Sequence, residues 1–374
     1  MKSLKTHKIK IPIGNPDIGK EEIQAVVETM RSGWFTQGEK VEQFEASFAE
    51  YCGAKHGVAV NNGTAALHMA LAALDIKEGD EVITTPLSCV ATTNPIVYQN
   101  AKPVFVDVDP ATLNIDPALI KRKITRRTKA ILPVHLFGHP IDLDPVIEIA
   151  KKHGLYLIED AAQAHGAKYK GKKVGSFGNV SCFSFYADKL ITTVEGGIAL
   201  TNDEELADKM RLLRSFGMSK HEKFQHSVLG YNYKMSDIHA AIGLVQIRKL
   251  DHNIESKRHN INYLKKRLKH TSLKLPLELD YAFNVYYVCH ILTKKKKEKI
   301  VEHLERKGIE TRPLLSFIPE QPPYKKYRYN LKDLRVAKDA HQRGFYVSNS
   351  PSLTEKELDH LASTLNKSVG DAHR

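Results

Sequence analysis

The stretch LYLIEDAAQAHGAKYKGKKVGSFGNVSCFSFYADKLITTVEGGIALT, residues 155–201, contains three strand signals and two candidate catalytic side chains. Its runs LYLIED (155–160), VSCFSFY (180–186) and GGIALT (196–201) are short and apolar and are rich in β-branched or aromatic residues, which is typical of strands. The third run follows the second closely. The two are therefore a candidate hairpin that would add one antiparallel strand to the sheet.

Earlier in the chain, runs of the same kind alternate with helical patterns. Amphipathic helices are predicted over residues 64–74 and 144–154, among others. The additional strand signals are GVAV (57–60), EVITT (81–85), KPVFVDV (102–108) and KAILPVHL (129–136). Strand–helix alternation predicts an α/β fold with a mostly parallel central sheet that is flanked by helices on both faces.

The pattern changes after about residue 250. A long charged helix is predicted over 235–270, then a strand at 286–293 and a helix at 298–308. Since 374 residues exceed what one hydrophobic core usually supports, we expect two domains. The expected division is a large domain at 1–250 and a smaller α+β domain at 251–374.

Composition narrows the class of protein. Hydrophobic residues make up 42% of the chain and charged residues 26%, which is ordinary for a soluble globular protein. No window approaches 18 apolar residues, so we expect no membrane partner. The four cysteines, which are far apart, form no C-x-x-C pair and indicate a reducing cytoplasm.

The net charge of +13 suits either nucleic acid or anionic small molecules. No interleaved aromatic pattern or recognition motif accompanies the charge, so we do not expect nucleic acid as a partner. His135 and His139 have i, i+4 spacing, but Gly138 and Pro140 disfavour a helix there, so we expect no metal site.

A phosphate site is one interpretation of NNGTAALHMAL (61–71). Gly63 and Thr64 stand where a strand ends and a helix begins, and a helix N-terminus offers unpaired N–H groups to an anion. Plain N-capping by Asn62 or Thr64 is the alternative.

Two further side chains complete a possible cofactor site. Asp160 ends an apolar strand, where an acid can either cap a helix or pair with the ring nitrogen of pyridoxal phosphate (PLP). Lys189 follows another strand closely and is either solvent-exposed or a Schiff-base lysine. Ser184 could hydrogen-bond a phosphate. A phosphate cup, an acid and a lysine in this order are the contacts that PLP needs.

Taken together, these stretches resemble the DegT/DnrJ/EryC1/StrS sugar aminotransferases from about Ile11 to Leu365. Within that family the sequence is most similar to the perosamine-synthase and 4-keto-sugar branches. The resemblance implies the aspartate-aminotransferase (type I PLP) fold. It is carried by SGWFTQG (32–38), NNGTAALHMAL, IEDAAQAHGA (158–167), FSFYADKLITTVEGG (183–197), LGYNYKMSDIHAAIGL (229–244) and GIETRP (308–313).

The resemblance also implies roles for single residues. Lys189 would form the Schiff base with PLP and then move the proton between the cofactor and the sugar carbon. Asp160 would pair with the pyridinium nitrogen, and Gln163 would lie against the ring. Cys89 stands where the family usually has an aromatic residue that stacks on the ring. Family members that dehydrate sugars carry His in place of Lys189, so Lys favours amino transfer.

At the other end of the cofactor, the phosphate would be bound by Gly63, Thr64 and Ser184. Asn232 would reach the cofactor phosphate of a neighbouring subunit, which implies a homodimer with shared active sites. The residues expected near the sugar nucleotide are Trp34, Thr36 and Arg312. The chain departs from the family pattern at 314–316 and at Val347-Ser348, where substrate choice would lie.

The implied reaction is amino transfer from L-glutamate, through pyridoxamine phosphate, to a nucleotide-linked 4-keto-6-deoxy-hexose. The product would be an amino sugar, such as perosamine, for a surface glycan or lipopolysaccharide O-antigen. Amination at C3, another keto substrate, or an inactive regulatory relative are the alternatives. Cys89 favours the inactive relative, whereas Lys189 and Asp160 favour an enzyme.

Overall fold

The structure is a computed structural model and describes residues 10–219, 224–269, 271–294 and 296–371. The first nine residues of the predicted large domain and His270, at the end of the predicted long helix, lie outside the described residues. The helices are α1 (Lys20–Ser32), α2 (Glu39–Cys52), α3 (Gly63–Ala73), α4 (Val90–Tyr98), α5 (Pro117–Ile120), α6 (Leu143–His153), α7 (Glu204–Arg214), α8 (Asp237–Leu268), α9 (Lys297–Arg306), α10 (Arg335–Arg343) and α11 (Glu355–Asp371).

The strands predicted from the first two-thirds of the sequence form one seven-stranded sheet. The strands in chain order are β1 (His56–Val60), β2 (Glu81–Thr84), β3 (Leu87–Ser88), β4 (Lys102–Phe105), β5 (Thr128–Leu132), β6 (Tyr156–Asp160), β7 (Lys168–Tyr169), β8 (Lys172–Lys173), β9 (Val180–Ser184), β10 (Gly197–Thr201), β11 (Ala282–Phe283), β12 (Cys289–Leu292), β13 (Thr311–Pro313), β14 (Ser316–Phe317) and β15 (Gly344–Val347). The sheet order is β1-β10-β9-β6-β5-β2-β4, and β10 pairs antiparallel with both its neighbours. The predicted α/β fold, with a mostly parallel sheet and one antiparallel strand, is confirmed.

Helices cover both faces of this sheet. Successive side chains of a strand point to opposite faces, so each central strand contributes to two cores. On β9, Cys182 packs into a core with α3 and α7, whereas Phe183 packs into a second core with α2 and α8. This explains why the strands are continuous apolar runs and do not alternate apolar with polar residues.

A smaller unit is built around the antiparallel sheet β12-β15-β13. Its core includes Ile261, Leu264 and Leu268 from the end of α8, together with α9 and α11. Ile11 packs into the same core, and its carbonyl accepts a hydrogen bond from the backbone of Glu310. The division after residue 250 stays a prediction, since α8 runs through that point without a break.

Within the described residues, no helix is both long enough and apolar enough to cross a membrane. The position of the site follows from strand direction. β6 ends at Asp160 and the parallel β9 ends at Ser184, so both side chains lie at one edge of the sheet. Because β1 has the same direction, Gly63, which begins α3, lies at that edge too.

Candidate active site

At this carboxyl edge lies a cavity of about 220 Å³. It brings together residues from distant parts of the chain, which sequence reasoning assigned to one cofactor. The predicted cofactor-binding residues that line it are Gly63, Thr64, Cys89, Asp160, Gln163, Ser184 and Lys189.

One end of the cavity is formed by the start of α3 and the end of β9. Asn62 caps α3 by accepting a hydrogen bond from Ala65 N at 2.8 Å, so Thr64 is not needed as the capping residue. A Cβ on Gly63 would lie only 2.7 Å from the Cβ of Ser184. Only glycine therefore allows the helix N-terminus and Ser184 to approach closely enough to form an anion cradle.

Asp160 supplies a buried carboxylate, only 4% exposed. It accepts hydrogen bonds from Thr92 Oγ1 at 2.7 Å and from Ala162 N at 3.1 Å. Burial raises the pKa of the Asp160 carboxyl above its ordinary value, and the two hydrogen bonds act in the opposite direction. A buried acid of this kind is stabilised by a cationic partner in the cavity.

The neighbouring acid, Glu159, has a different role. It is fully buried, and it accepts hydrogen bonds from Ser181 Oγ at 2.6 Å, His135 Nε2 at 3.0 Å and Gly178 N at 2.8 Å. Strand alternation turns its side chain away from that of Asp160. Glu159 therefore ties the loop before β9 to the sheet, and of these two neighbouring acids only Asp160 lines the cavity.

Lys189 lies in the loop between β9 and β10. Its Nζ donates a hydrogen bond to Tyr287 OH at 3.4 Å. Burial lowers the pKa of the Lys189 amine below its ordinary value, with Asp188 and other negative groups acting in the opposite direction. A lowered amine pKa is what a nucleophilic lysine needs, because the neutral form is the one that attacks a carbonyl.

Gln163 is anchored by its side-chain oxygen, which accepts a hydrogen bond from Phe137 N at 2.7 Å. Cys89 is exposed at the start of α4 and lines the cavity, as does the aromatic Tyr186. Sequence reasoning missed Tyr186, although it stands inside the FSFYADK stretch three residues before Lys189.

A chain of hydroxyl groups behind Asp160 was also not predicted from the sequence. Ser88 Oγ and Thr92 Oγ1 are 2.8 Å apart, and Thr92 donates to Asp160. Their i, i+4 spacing in SCVAT was the available signal, but only the fold shows that they point at the carboxylate.

The structure does not bring the other predicted site residues into this cavity. Asn232 is exposed and accepts a hydrogen bond from Lys234 at 2.7 Å, and Arg312 is exposed beside Glu310. Trp34 is 59% exposed and lines a separate groove, and Thr36 is also exposed. Their assignment to a partner's cofactor or to the sugar nucleotide stays a prediction.

The residues around the cavity suit PLP. The buried Asp160 would hold its ring nitrogen, Lys189 its aldehyde, and the cradle of Gly63 and Ser184 its phosphate. When bound, PLP supplies an electron sink for the carbon that gains or loses a proton. The fold and these side chains define a fold-type I aminotransferase that uses PLP.

Within that class, the chain belongs to the DegT/DnrJ/EryC1/StrS aminotransferase family, whose model matches residues 16–366. GDP-perosamine synthases of Caulobacter vibrioides and Escherichia coli O157:H7 are 39% and 40% identical to it over 365 residues, which cover 96% of this chain and 98% and 99% of theirs. The PMP form of a putative sugar aminotransferase of Streptococcus pneumoniae superposes with a TM-score of 0.93 at 26% identity, covering 97% of this chain and 98% of that one. The chain is a PLP-dependent sugar aminotransferase.

Proposed function

We propose that the protein transfers an amino group from L-glutamate to a nucleotide-linked 4-keto-6-deoxy-hexose, with Lys189 as the catalytic residue. The observation that carries this proposal is the convergence of Asp160, Lys189 and the Gly63–Ser184 cradle on one cavity. The inactive regulatory alternative is disfavoured because the acid, the amine and the cradle are all present.

Each residue has a separate task in the proposed mechanism. Asp160 would hold the ring nitrogen in its protonated form, because its buried carboxylate needs a cation beside it. Lys189 would hold the cofactor through its aldehyde, and its amine, when free, would move protons to and from the reacting carbon. The helix N-terminus at Gly63 and the hydroxyls of Thr64 and Ser184 would hold the phosphate. Gln163, which is fixed by Phe137, would contact the ring.

The substrate proposal rests on the names of the relatives and on charge. Relatives named GDP-perosamine synthase cover nearly the whole chain. The net charge of +13 favours a dianionic diphosphate linker. Trp34, Thr36 and Arg312 are proposed to contact the sugar nucleotide. The product would be an amino sugar for a surface glycan such as an O-antigen, made in the cytoplasm.

The test is a two-step absorbance assay on the protein loaded with PLP. L-Glutamate should bleach the band of the lysine-bound cofactor, and one 4-keto-6-deoxy sugar from a panel of GDP, UDP and dTDP compounds should restore it. A panel that also includes 3-keto isomers separates C4 from C3 amination. If neither step changes the spectrum, the proposal is wrong.

A homodimer with shared active sites is part of the proposal. Large apolar side chains are exposed around the cavity loop and the segment before α8, as expected for a surface that a second copy covers. They include Tyr186, Val194, Phe216, Phe224 and Leu229. Asn232 lies in the same segment, exposed and outside its own cavity.

Coexpression of Lys189→Ala and Asn232→Ala chains tests this assembly. If Asn232 serves the partner's cofactor, each mixed dimer has one intact site and one site with both defects. Equal coexpression should then restore about a quarter of wild-type activity per chain. If Asn232 acted within its own chain, no mixed dimer would contain an intact site, and activity would stay at the level of the single variants.

A further inference from the structure

Tyr287, from the segment that leads into β12, is in contact with Lys189. It is 8% exposed. The Lys189 Nζ lies 4.6 Å from the centroid of the Tyr287 ring and donates a hydrogen bond to its hydroxyl oxygen at 3.4 Å. The Tyr287 hydroxyl donates in turn to Asp188 Oδ1 at 2.9 Å. The phenol therefore bridges the amine and the acid that precedes it in the chain.

The hydrogen bonds of Tyr287 run in one direction, from Lys189 to Tyr287 and from Tyr287 to Asp188. The single hydroxyl proton of Tyr287 is used toward Asp188, so its oxygen lone pairs are left to accept from Lys189. Burial raises the pKa of the Tyr287 phenol well above its ordinary value, and the charge of Asp188 adds to this effect, so the phenol stays protonated. Both the accepting oxygen and the ring face stabilise a protonated amine over a neutral one.

Helix α8 fixes Tyr287 relative to the Lys189 loop. Asn253 Nδ2 donates to the carbonyl of Leu190 at 3.2 Å, and Lys257 Nζ donates to the carbonyl of Tyr287 at 3.1 Å. The two donors are four residues apart and so lie on one face of the helix. Both are buried, which makes these hydrogen bonds costly to break. One rigid helix thus sets the distance between Lys189 and Tyr287.

We propose that Tyr287, together with Asp188, is the positioning residue that holds the Lys189 amine whenever that amine is not attached to the cofactor. The inference rests on the proposed role of Lys189. In the pyridoxamine form of the enzyme the amine is free and must stay near the reacting carbon. The lysine side chain has four flexible carbons, so its free amine could occupy many positions. The hydrogen bond to Tyr287 and the face of the Tyr287 ring restrict the amine to one of them.

Other titratable groups also act on this amine or on its two partners, so a test must separate Tyr287 from them. Asp160 on β6, Cys89 before α4 and His165 after β6 act on the Lys189 amine. Tyr346 on β15 acts on Tyr287, Lys257 on α8 interacts with Asp188, and Glu195 lines the cavity. Substitution of the Tyr287 hydroxyl alone leaves all of them in place.

The experiment measures the pKa of the free Lys189 amine directly. The pyridoxamine-form enzyme is labelled with an amine-acylating reagent across a pH series, and the labelled fraction at Lys189 is read by mass spectrometry. In Tyr287→Phe the ring remains but the accepting oxygen is lost. The pKa of the amine should fall by about 0.5–1 unit, which corresponds to the loss of one hydrogen bond of ordinary strength.

Two companion variants sharpen the result. Asp188→Asn removes the negative charge and should lower the same pKa, so the inference has a second test if Tyr287→Phe folds poorly. Tyr286→Phe is the matched control, because its hydroxyl contacts Lys265 at 3.2 Å and not Lys189. An unchanged labelling profile in Tyr287→Phe, or an equal shift in the control, would overturn the inference.

Failure of the proposed function is distinguishable from failure of this inference. Borohydride reduction of the PLP form fixes the cofactor to its lysine, and peptide mapping identifies that residue. Fixation at another residue would show that the proposed role of Lys189 is wrong, and the inference would fall with it. Fixation at Lys189 with an unchanged profile in Tyr287→Phe would overturn the inference alone.

Discussion

Replacement of Lys189 by Ala should reduce amino transfer by more than about 10³-fold, since it removes both the covalent attachment and the acid–base group of the proposed mechanism. The side chain lies in a loop and is not part of a core cluster, so the fold should persist. Borohydride should no longer fix the cofactor to the chain. Stopped-flow absorbance measures two rates: the rate at which L-glutamate bleaches the cofactor band and the rate at which the 4-keto sugar restores it.

Lys172→Ala is the matched control for Lys189→Ala. Lys172 is exposed on β8 and does not line the cavity, so the same change there should leave both half-reactions unaltered. Added methylamine should restore part of the rate to Lys189→Ala but none to a misfolded protein. Retention of wild-type activity in Lys189→Ala would exclude this lysine as the catalytic residue.

The sequence predicted the fold well because strand signals are local. Each of the seven runs from GVAV to GGIALT forms a strand of the central sheet, since a short apolar β-branched run bounded by turn residues needs little tertiary information. The limits of the second domain depend on contacts between residues that are far apart in the sequence. Ile11 packs with α9 and α11, which begin 286 and 344 residues later in the chain, and no pattern near the N-terminus could show this.

The site was predictable where a residue stands at the end of its own strand. Asp160 and Ser184 end β6 and β9, Gly63 follows the end of β1 by three residues, and all three line the cavity. Glu159 stands beside Asp160 at the end of the same strand, and the structure shows that the strand directs only Asp160 of the two into the cavity. Thr92 and Tyr287 were missed because their partners lie 68 and 98 residues away, and only the topology brings them together.

The structure also limits what the resemblance can assign. Trp34, Thr36, Asn232 and Arg312 do not line the cavity of their own chain. A residue that serves a partner subunit or a large, extended substrate gives the same local signal as an exposed surface residue. Their roles depend on surfaces beyond one chain, and the mixed-dimer experiment tests this for Asn232.

Replacement of Asp160 by Asn should lower the rate of both half-reactions by about 10²–10³-fold while the protein stays folded. Asparagine has the same shape and can still accept from Thr92, but it carries no charge to hold a proton on the ring nitrogen. The measurements are stopped-flow rates and the dissociation constant of PLP.

Thr92→Val keeps the Asp160 carboxylate but removes one hydrogen bond that stabilises its charge. This variant should weaken PLP binding by about tenfold.

The pH dependence of binding provides an independent check on Asp160. Burial raises the pKa of this carboxyl in the cofactor-free protein, so lowering the pH neutralises it earlier than an exposed Asp. Only the carboxylate attracts a protonated ring. PLP affinity in the wild type should therefore be full above that pKa and fall as the pH drops through it. Thr92→Val should move this fall to higher pH, and Asp160→Asn should abolish it. If PLP affinity still falls at low pH in Asp160→Asn as it does in the wild type, another group controls cofactor binding.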